Sequence, residues 1–323
     1  MPAYPQHFSF GIEMELYLKP KSQSIIDTLQ TLGFNPKDTN QTKQERIFRQ
    51  AMATELSDRG IPTGIDKNSV YDTWTIAHEA ALDHIGGGYW PCELISPVFY
   101  THDDDWVVSI NYLFANLLGH CDVHLTKGCA THVHVAPAGG KYTLSQVKNI
   151  VKGTIYYEEP GGWSPIFDEF KDHKFVATIV TAVCPDRNVS WNFQNLTDSG
   201  TMEFRRPRGV DNPDAAKHWI AFTLGFMANV IWEENWDATG HTKTHPSSDR
   251  LRAVVVRGAT SINLPVHTSL LPTLMADNNK AATVFTKEER AIIRQKMAKK
   301  KNKRSLFVEK IINSRPNTPS GKK

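Results

Sequence analysis

Twelve residues near the start of the chain, His7 to Leu18 (HFSFGIEMELYL), alternate apolar and polar side chains, and two of the polar ones are glutamates. Phe8, Phe10, Ile12, Met14 and Leu16 fall on one side, Gly11, Glu13, Glu15 and Tyr17 on the other. Alternation of period two over this length predicts a β-strand with one buried face. A sheet that buries those apolar residues must also find an environment for two carboxylates about 7 Å apart on its other face.

The pattern recurs. THVHVAP (131–137), NVSWNFQN (188–195) and TMEFRR (201–206) also alternate. Their polar sets are His132/His134, Asn192/Gln194 and Glu203/Arg205. Between these strands lie helical patterns. One is expected near Gln44–Arg59. DDDWVVSINYLFANLLGH places Trp106, Ile110, Leu113, Phe114 and Leu117 at helical spacing behind an acidic start. Thr143 and Gln146 form a capping-box pattern ahead of an amphipathic run, and Pro213 sits near the first turn of a long helix from Asn212 to Asn235. Thr286 and Glu289 predict a second capping box opening a basic C-terminal helix. Strands and helices mix without a βαβ rhythm, so the expected class is α+β. The chain divides into a single catalytic domain, residues 1–285, and a basic helix and tail, residues 286–323.

Charge follows the same division. Residues 287–323 hold 13 basic and 3 acidic side chains, whereas residues 1–286 hold 24 basic against 31 acidic. An acidic body argues against nucleic acid as a partner. No apolar run reaches the roughly 18 residues of a membrane span, so no membrane partner is expected. The opening residues lack a secretory pattern. The four cysteines form no CxxC pair, which suits a reduced, cytoplasmic protein.

Taken singly, the polar pairs are bland: an ExE is usually a solvated face, and an ExR an exposed ion pair contributing ~0–1 kcal/mol. Together they are not. Glu13, Glu15, Glu93 and Glu203 on one surface would repel, by about 4 kcal/mol for two charges ~4 Å apart at an effective dielectric near 20. Such a cluster requires cations, and carboxylates with imidazole suit Mg²⁺ or Mn²⁺. No Walker A or Rossmann glycine pattern points to another nucleotide fold, and Gly86–Gly88 reads as a turn ahead of Glu93.

Four segments, FGIEMEL, CELISP, GCATHVHV and GTMEFRRPRG, resemble the amidoligase family, within the carboxylate-amine ligases related to glutamine synthetase and glutamate-cysteine ligase. They occur in the expected order between Phe10 and Gly209. The stretch TWTIAHEAALDHIGGGYWPCELISP extends the likeness, with Glu79 where the family often has Asp. The resemblance implies a curved, mainly antiparallel sheet forming a partly closed barrel, with a polar active-site face and helices on its back. It implies ATP and Mg²⁺ (or Mn²⁺) as cofactors, and a small-molecule or peptide carboxylate and amine as substrates. It implies that Glu13 and Glu15 each hold a different divalent ion. Glu93 would join the ion on the acceptor side; His132 and Glu203 would complete the ion touching the nucleotide phosphates. His134 would lie near the nucleotide, and Arg205 would stabilise the transferred phosphoryl group, with Arg206 or Arg208 as helpers. Glu79 and His134 are both candidates for the base that deprotonates the amine.

The alternative is a His-based metallohydrolase or cupin-like enzyme built on His132 and His134, drawing further ligands from His120, His124, Cys121 or Cys129. Against the cupin form, Ala136, Pro137 and Ala138 occupy the positions where a glutamate is expected.

Overall fold

A computed structural model of the protein describes residues 7–66, 71–158, 174–184, 189–233 and 246–264. All lie within one unit, Met1–Asn278. The predicted basic helix from Thr286 falls outside the described residues.

The alternating N-terminal segment forms β1 (Phe8–Pro20), which is followed by α1 (Gln23–Thr31) and α2 (Gln41–Asp58). Three strands come next, β2 (Thr63–Ile65), β3 (Trp74–Ala77) and β4 (Trp90–Ile95), then a two-residue β5 (Phe99–Tyr100). The helix α3 (Asp105–His120) leads into β6 (Cys121–His124) and β7 (Thr131–Pro137). The remaining elements are α4 (Leu144–Glu158), α5 (Val176–Val183), β8 (Trp191–Asn192), the one-turn α6 (Asn195–Asp198), β9 (Met202–Phe204), α7 (Pro213–Val230) and α8 (Ser248–Ser261).

The strands make one sheet in the order β2-β3-β4-β1-β7-β9-β8, with β5 and β6 also paired to β1. Every pairing is antiparallel except β2 with β3. Among the described residues the two outer strands do not pair with each other, so the sheet is open. The architecture is therefore α+β.

β1 is central because its apolar face is continuous: Phe8, Phe10, Ile12, Met14, Leu16 and Leu18 are all buried in one core cluster. Burying each such side chain contributes roughly 1.5–3 kcal/mol. Helices cover this face. Phe10 meets Trp106 of α3 edge-on, Trp90 stacks on Phe48 of α2, and Phe204 stacks on Phe222 of α7.

Local sequence explains the helix starts. The Thr143 N–H donates to Gln146 Oε1 at 2.8 Å and the Gln146 N–H to Thr143 Oγ1 at 3.2 Å, so the predicted capping box forms. Asn212 Oδ1 accepts from the Ala215 N–H at 2.9 Å, one residue before Pro213. The long helix ends at Val230, short of the predicted Asn235. Gly86, Gly87 and Gly88 all take positive φ and make the expected turn before β4.

Candidate metal centre

Strand register alone assembles the polar face. Glu13 lies opposite His132, Gly11 opposite His134, and Glu15 opposite Glu93. His134 is in turn opposite Glu203, and Glu203 opposite Asn192. Directly opposed residues share a face of a sheet. All these side chains therefore leave the sheet on the side away from the helices, while Met14, Leu94, Val133 and Phe204 point into the core. The order β4-β1-β7-β9 brings together residues up to 190 positions apart in the chain.

Three overlapping groups result, each with its ligand atoms within 4.8 Å of one another: Glu13/His134/Glu203, Glu13/Glu93/His132 and Glu15/Glu79/Glu93. Glu13 belongs to the first two and Glu93 to the last two. Glu13 Oε2 lies 3.3 Å from His132 Nδ1, and Glu13 Oε1 lies 3.4 Å from His134 Nε2. His132 reaches three carboxylates, being 3.8 Å from Glu15 Oε1 through Nε2 and 3.6 Å from Glu203 Oε1 through Nδ1. It is His134 that groups with Glu13 and Glu203, whereas His132 groups with Glu13 and Glu93. The resemblance gave His132, with Glu203, to the ion on the phosphate side.

At one end, Glu203 is held from both sides. Oε2 accepts from Asn192 Nδ2 at 2.7 Å and from Asn195 Nδ2 at 2.9 Å. Oε1 accepts from Arg205 Nη1 and stands 3.6 Å from His134 Nε2. Burial alone would raise the Glu203 carboxyl; His134, Arg205 and His132 outweigh it and hold the group below its ordinary range. His134 shows the opposite balance. Burial works against its protonation, but Glu13 and Glu203 prevail and raise it. Its Nδ1 meets Thr201 Oγ1 at 3.3 Å. For His132 burial wins, and its pKa is lowered.

At the other end, Glu15 is pushed up to about 8, first by burial and then by the neighbouring charges of Glu79 and Glu93. The Ala130 N–H, donating to Glu15 Oε2 at 3.0 Å, opposes this only in part. Glu79 follows β3 on a loop, and the Ala81 N–H donates to its Oε1 at 2.5 Å. Gly209 closes this end: a Cβ there would stand 2.7 Å from Cys129 Cβ and 2.9 Å from the Glu15 carbonyl oxygen.

The structure thus brings Glu13, Glu15, Glu79, Glu93, His132, His134, Glu203 and Arg205 to one face. Arg206 and Arg208 are exposed. Arg208 pairs with Ala130 in an isolated bridge, which sets it at the Glu15 end, away from Arg205. Gln194 does not extend a polar strand as expected. β8 stops at Asn192, and Gln194 turns to cap α6, its N–H donating to Asn192 Oδ1 at 2.9 Å. Asn195, on that one-turn helix, was missed; an amide just past a strand carries no periodic signal. His120, Cys121, His124 and Cys129 belong to none of the ligand groups among the described residues. Cys121 Sγ contacts Met52 Sδ at 3.5 Å, and His120 lies 3.7 Å from Glu55. All four cysteines are buried thiols outside any disulfide, and no described helix is long and apolar enough to cross a membrane.

The donor set suits a hard divalent ion: it is mostly carboxylate oxygen, and Glu15 is driven toward its protonated form first by burial and then by the like charges of Glu79 and Glu93, which a cation would neutralise.

No curated protein sequence matches the chain significantly. Residues 6–159, just under half of the chain, match the family described as "Putative amidoligase enzyme". The match covers β1, β4 and β7, and so both β1 carboxylates, Glu79, Glu93 and both histidines; Glu203 and Arg205 lie beyond it and join through strand pairing. The residues that supply the three central strands of the polar face are thus the ones similar to the amidoligase family.

Proposed function

We propose that the protein is an ATP-dependent ligase that joins a carboxylate to an amine through an acyl phosphate. The observation that carries this reading is the row of overlapping ligand groups along one sheet face, with an arginine at one end. Glu13, Glu93, His132, His134 and Glu203 would hold divalent ions at the phosphate side, and Glu15, Glu79 and Glu93 one at the acceptor side. Bound there, Mg²⁺ or Mn²⁺ would supply charge neutralisation for the triphosphate and the substrate carboxylate.

The protein's own groups divide the remaining work. Arg205 offers a planar guanidinium to the transferred phosphoryl oxygens, a geometry that lysine lacks. Asn192 and Asn195 hold Glu203 in place by its outer oxygen, leaving Oε1 facing the site. The strand ladder fixes the distance between the two ends and so aligns nucleotide and acid. The carboxylate oxygen attacks the γ-phosphorus, ADP leaves, and the amine displaces phosphate from the acyl phosphate to form the amide. The amine's proton passes to a base, for which Glu79 and His134 are both candidates.

The test is a phosphate-release screen with ATP, Mg²⁺ and arrays of acids and amines, with product masses read in parallel. Stoichiometric formation of ADP and an amide bears the proposal out. One tightly held zinc per chain, with hydrolysis and no ATP requirement, overturns it in favour of a metallohydrolase.

A further inference from the structure

Glu13, Glu15 and Glu93 ride on paired strands, so the ladder fixes their backbone. Glu79 does not: it sits on residues 78–84, which belong to no strand among the described residues. Something else must hold it. The inward face of α2 carries Glu45, a buried carboxylate. Its two oxygens are divided between two histidines, Oε2 lying 2.9 Å from His78 Nδ1 and Oε1 2.7 Å from His84 Nε2. His78 and His84 stand at the two ends of the loop. His84 is further seated edge-on against Trp90, with ring centroids 5.1 Å apart. The far half of the loop has its own anchors, Leu82 buried with Tyr17 and Cys129, and the Tyr17 hydroxyl donating to the Asp83 carbonyl at 2.7 Å. The near half, where Glu79 lies, is tied to the helix layer through His78.

We infer that Glu45 is a positioning residue: by gripping both ends of the 78–84 loop it sets Glu79 against Glu15 and Glu93. The inference rests on the reading of those three carboxylates as a cation site. A helix residue thereby governs a site on the opposite face of the sheet, around the edge rather than through the core. Partners that orient a ligand from behind typically change metal affinity by about 10–100-fold when removed.

The experiment uses the full chain, with Mn²⁺ as the probe and two readouts: Mn²⁺ affinity, and backbone hydrogen exchange at residues 78–84. Glu45→Ala is compared with Glu79→Gln and with the double variant. Expected are an affinity about 10-fold weaker in Glu45→Ala, faster exchange confined to 78–84, and no further loss when Glu45→Ala is added to Glu79→Gln. Glu45→Gln keeps one acceptor and one donor, so it should fall between wild type and Glu45→Ala; it carries both readouts if the alanine variant does not fold. Unchanged exchange at 78–84 overturns the inference. So does faster exchange with unaltered Mn²⁺ affinity where Glu79→Gln weakens binding, since that is a structural tie only. If Glu79→Gln itself leaves Mn²⁺ affinity unchanged, the cation reading of that group fails, and exchange alone judges whether Glu45 holds the loop.

Discussion

Arg205 donates to the same oxygen of Glu203, Oε1, that His132 Nδ1 and His134 Nε2 each face at 3.6 Å. The guanidinium therefore stands where a cation shared by Glu203 and His134 would draw its oxygen ligand. On the proposed reading, an ion there would compete with Arg205 for Glu203 Oε1 and would free the arginine for the phosphoryl group.

Removing that arginine should separate chemistry from ion binding. Arg205→Lys keeps the charge and loses the fork, and turnover is expected to fall by about 10²-fold, the scale of one preorganised electrostatic contact. Mn²⁺ affinity should hold or rise. Near-normal turnover would remove this residue from the reacting centre.

Glu203→Gln should affect both activity and stability. As an exposed pair Glu203 and Arg205 would contribute ~0–1 kcal/mol, but Glu203 is only 2% exposed and fully bonded. A glutamine that keeps its oxygen toward Asn192 and Asn195 aims its amide N–H at Arg205, donor against donor. A loss of about 1–3 kcal/mol is expected in denaturant unfolding, together with a turnover drop of about 10²-fold. An unchanged midpoint would show that the asparagines do not grip this carboxylate in solution.

Ion affinity should depend on pH through Glu15. Its folded pKa of about 8 means that a proton must leave before an ion binds. Mn²⁺ affinity should therefore climb with pH by up to about tenfold per unit below 8 and level off above it, with proton release seen as a buffer-dependent heat. Equal affinity at pH 6 and pH 8 would contradict this.

Acid should loosen the helix layer by a separate route. Burial raises the Glu55 carboxyl, but hydrogen bonds from Arg59 and Ser24 outweigh it and place it below its ordinary 4.5. Its contribution is present above the unfolded value and disappears as pH falls through the folded one, so the window lies below about 4.5. Glu55→Gln should flatten the urea midpoint against pH in that window; an unaltered slope would discount the pair.

Gly209→Ala tests the closure at the Glu15 end. The added methyl would meet Cys129 Cβ and the Glu15 carbonyl at under 3 Å, so backbone must move. A loss of about 1–3 kcal/mol is expected, with weaker Mn²⁺ binding because Glu15 shifts. Gly258→Ala is the control: its methyl would strike the Gly225 carbonyl across the α7–α8 crossing, lowering stability without touching ion affinity.

These outcomes also mark how far the site could be read from residues alone. Period two in β1, β7 and β9 placed Glu13, Glu15, His132, His134 and Glu203 on one face, because alternation and register are the same physical fact. Glu79 needed more. Its place is set by a loop whose anchors lie on α2, and that helix reads as polar because Gln44, Glu45, Arg49 and Glu55 are buried on its inward side. Hydrophobic spacing cannot show a buried face made of charges. Gln194 misled for the converse reason: alternation continued in the sequence after Asn192 Oδ1 had already captured the Gln194 N–H and turned the chain.

β1 takes partners from four other strands, the last of them ending at Pro137 opposite Phe8. During synthesis, its thirteen residues must leave the ribosome and wait, unpaired, until β4 emerges, and the other edge must wait longer still for β7. Through that interval the strand is an open template of Phe and Leu, long in contact order and prone to pair with a neighbouring nascent chain. Glu13 and Glu15 would then also act as gatekeepers, because like charges set directly opposite disfavour the in-register pairing of two such strands.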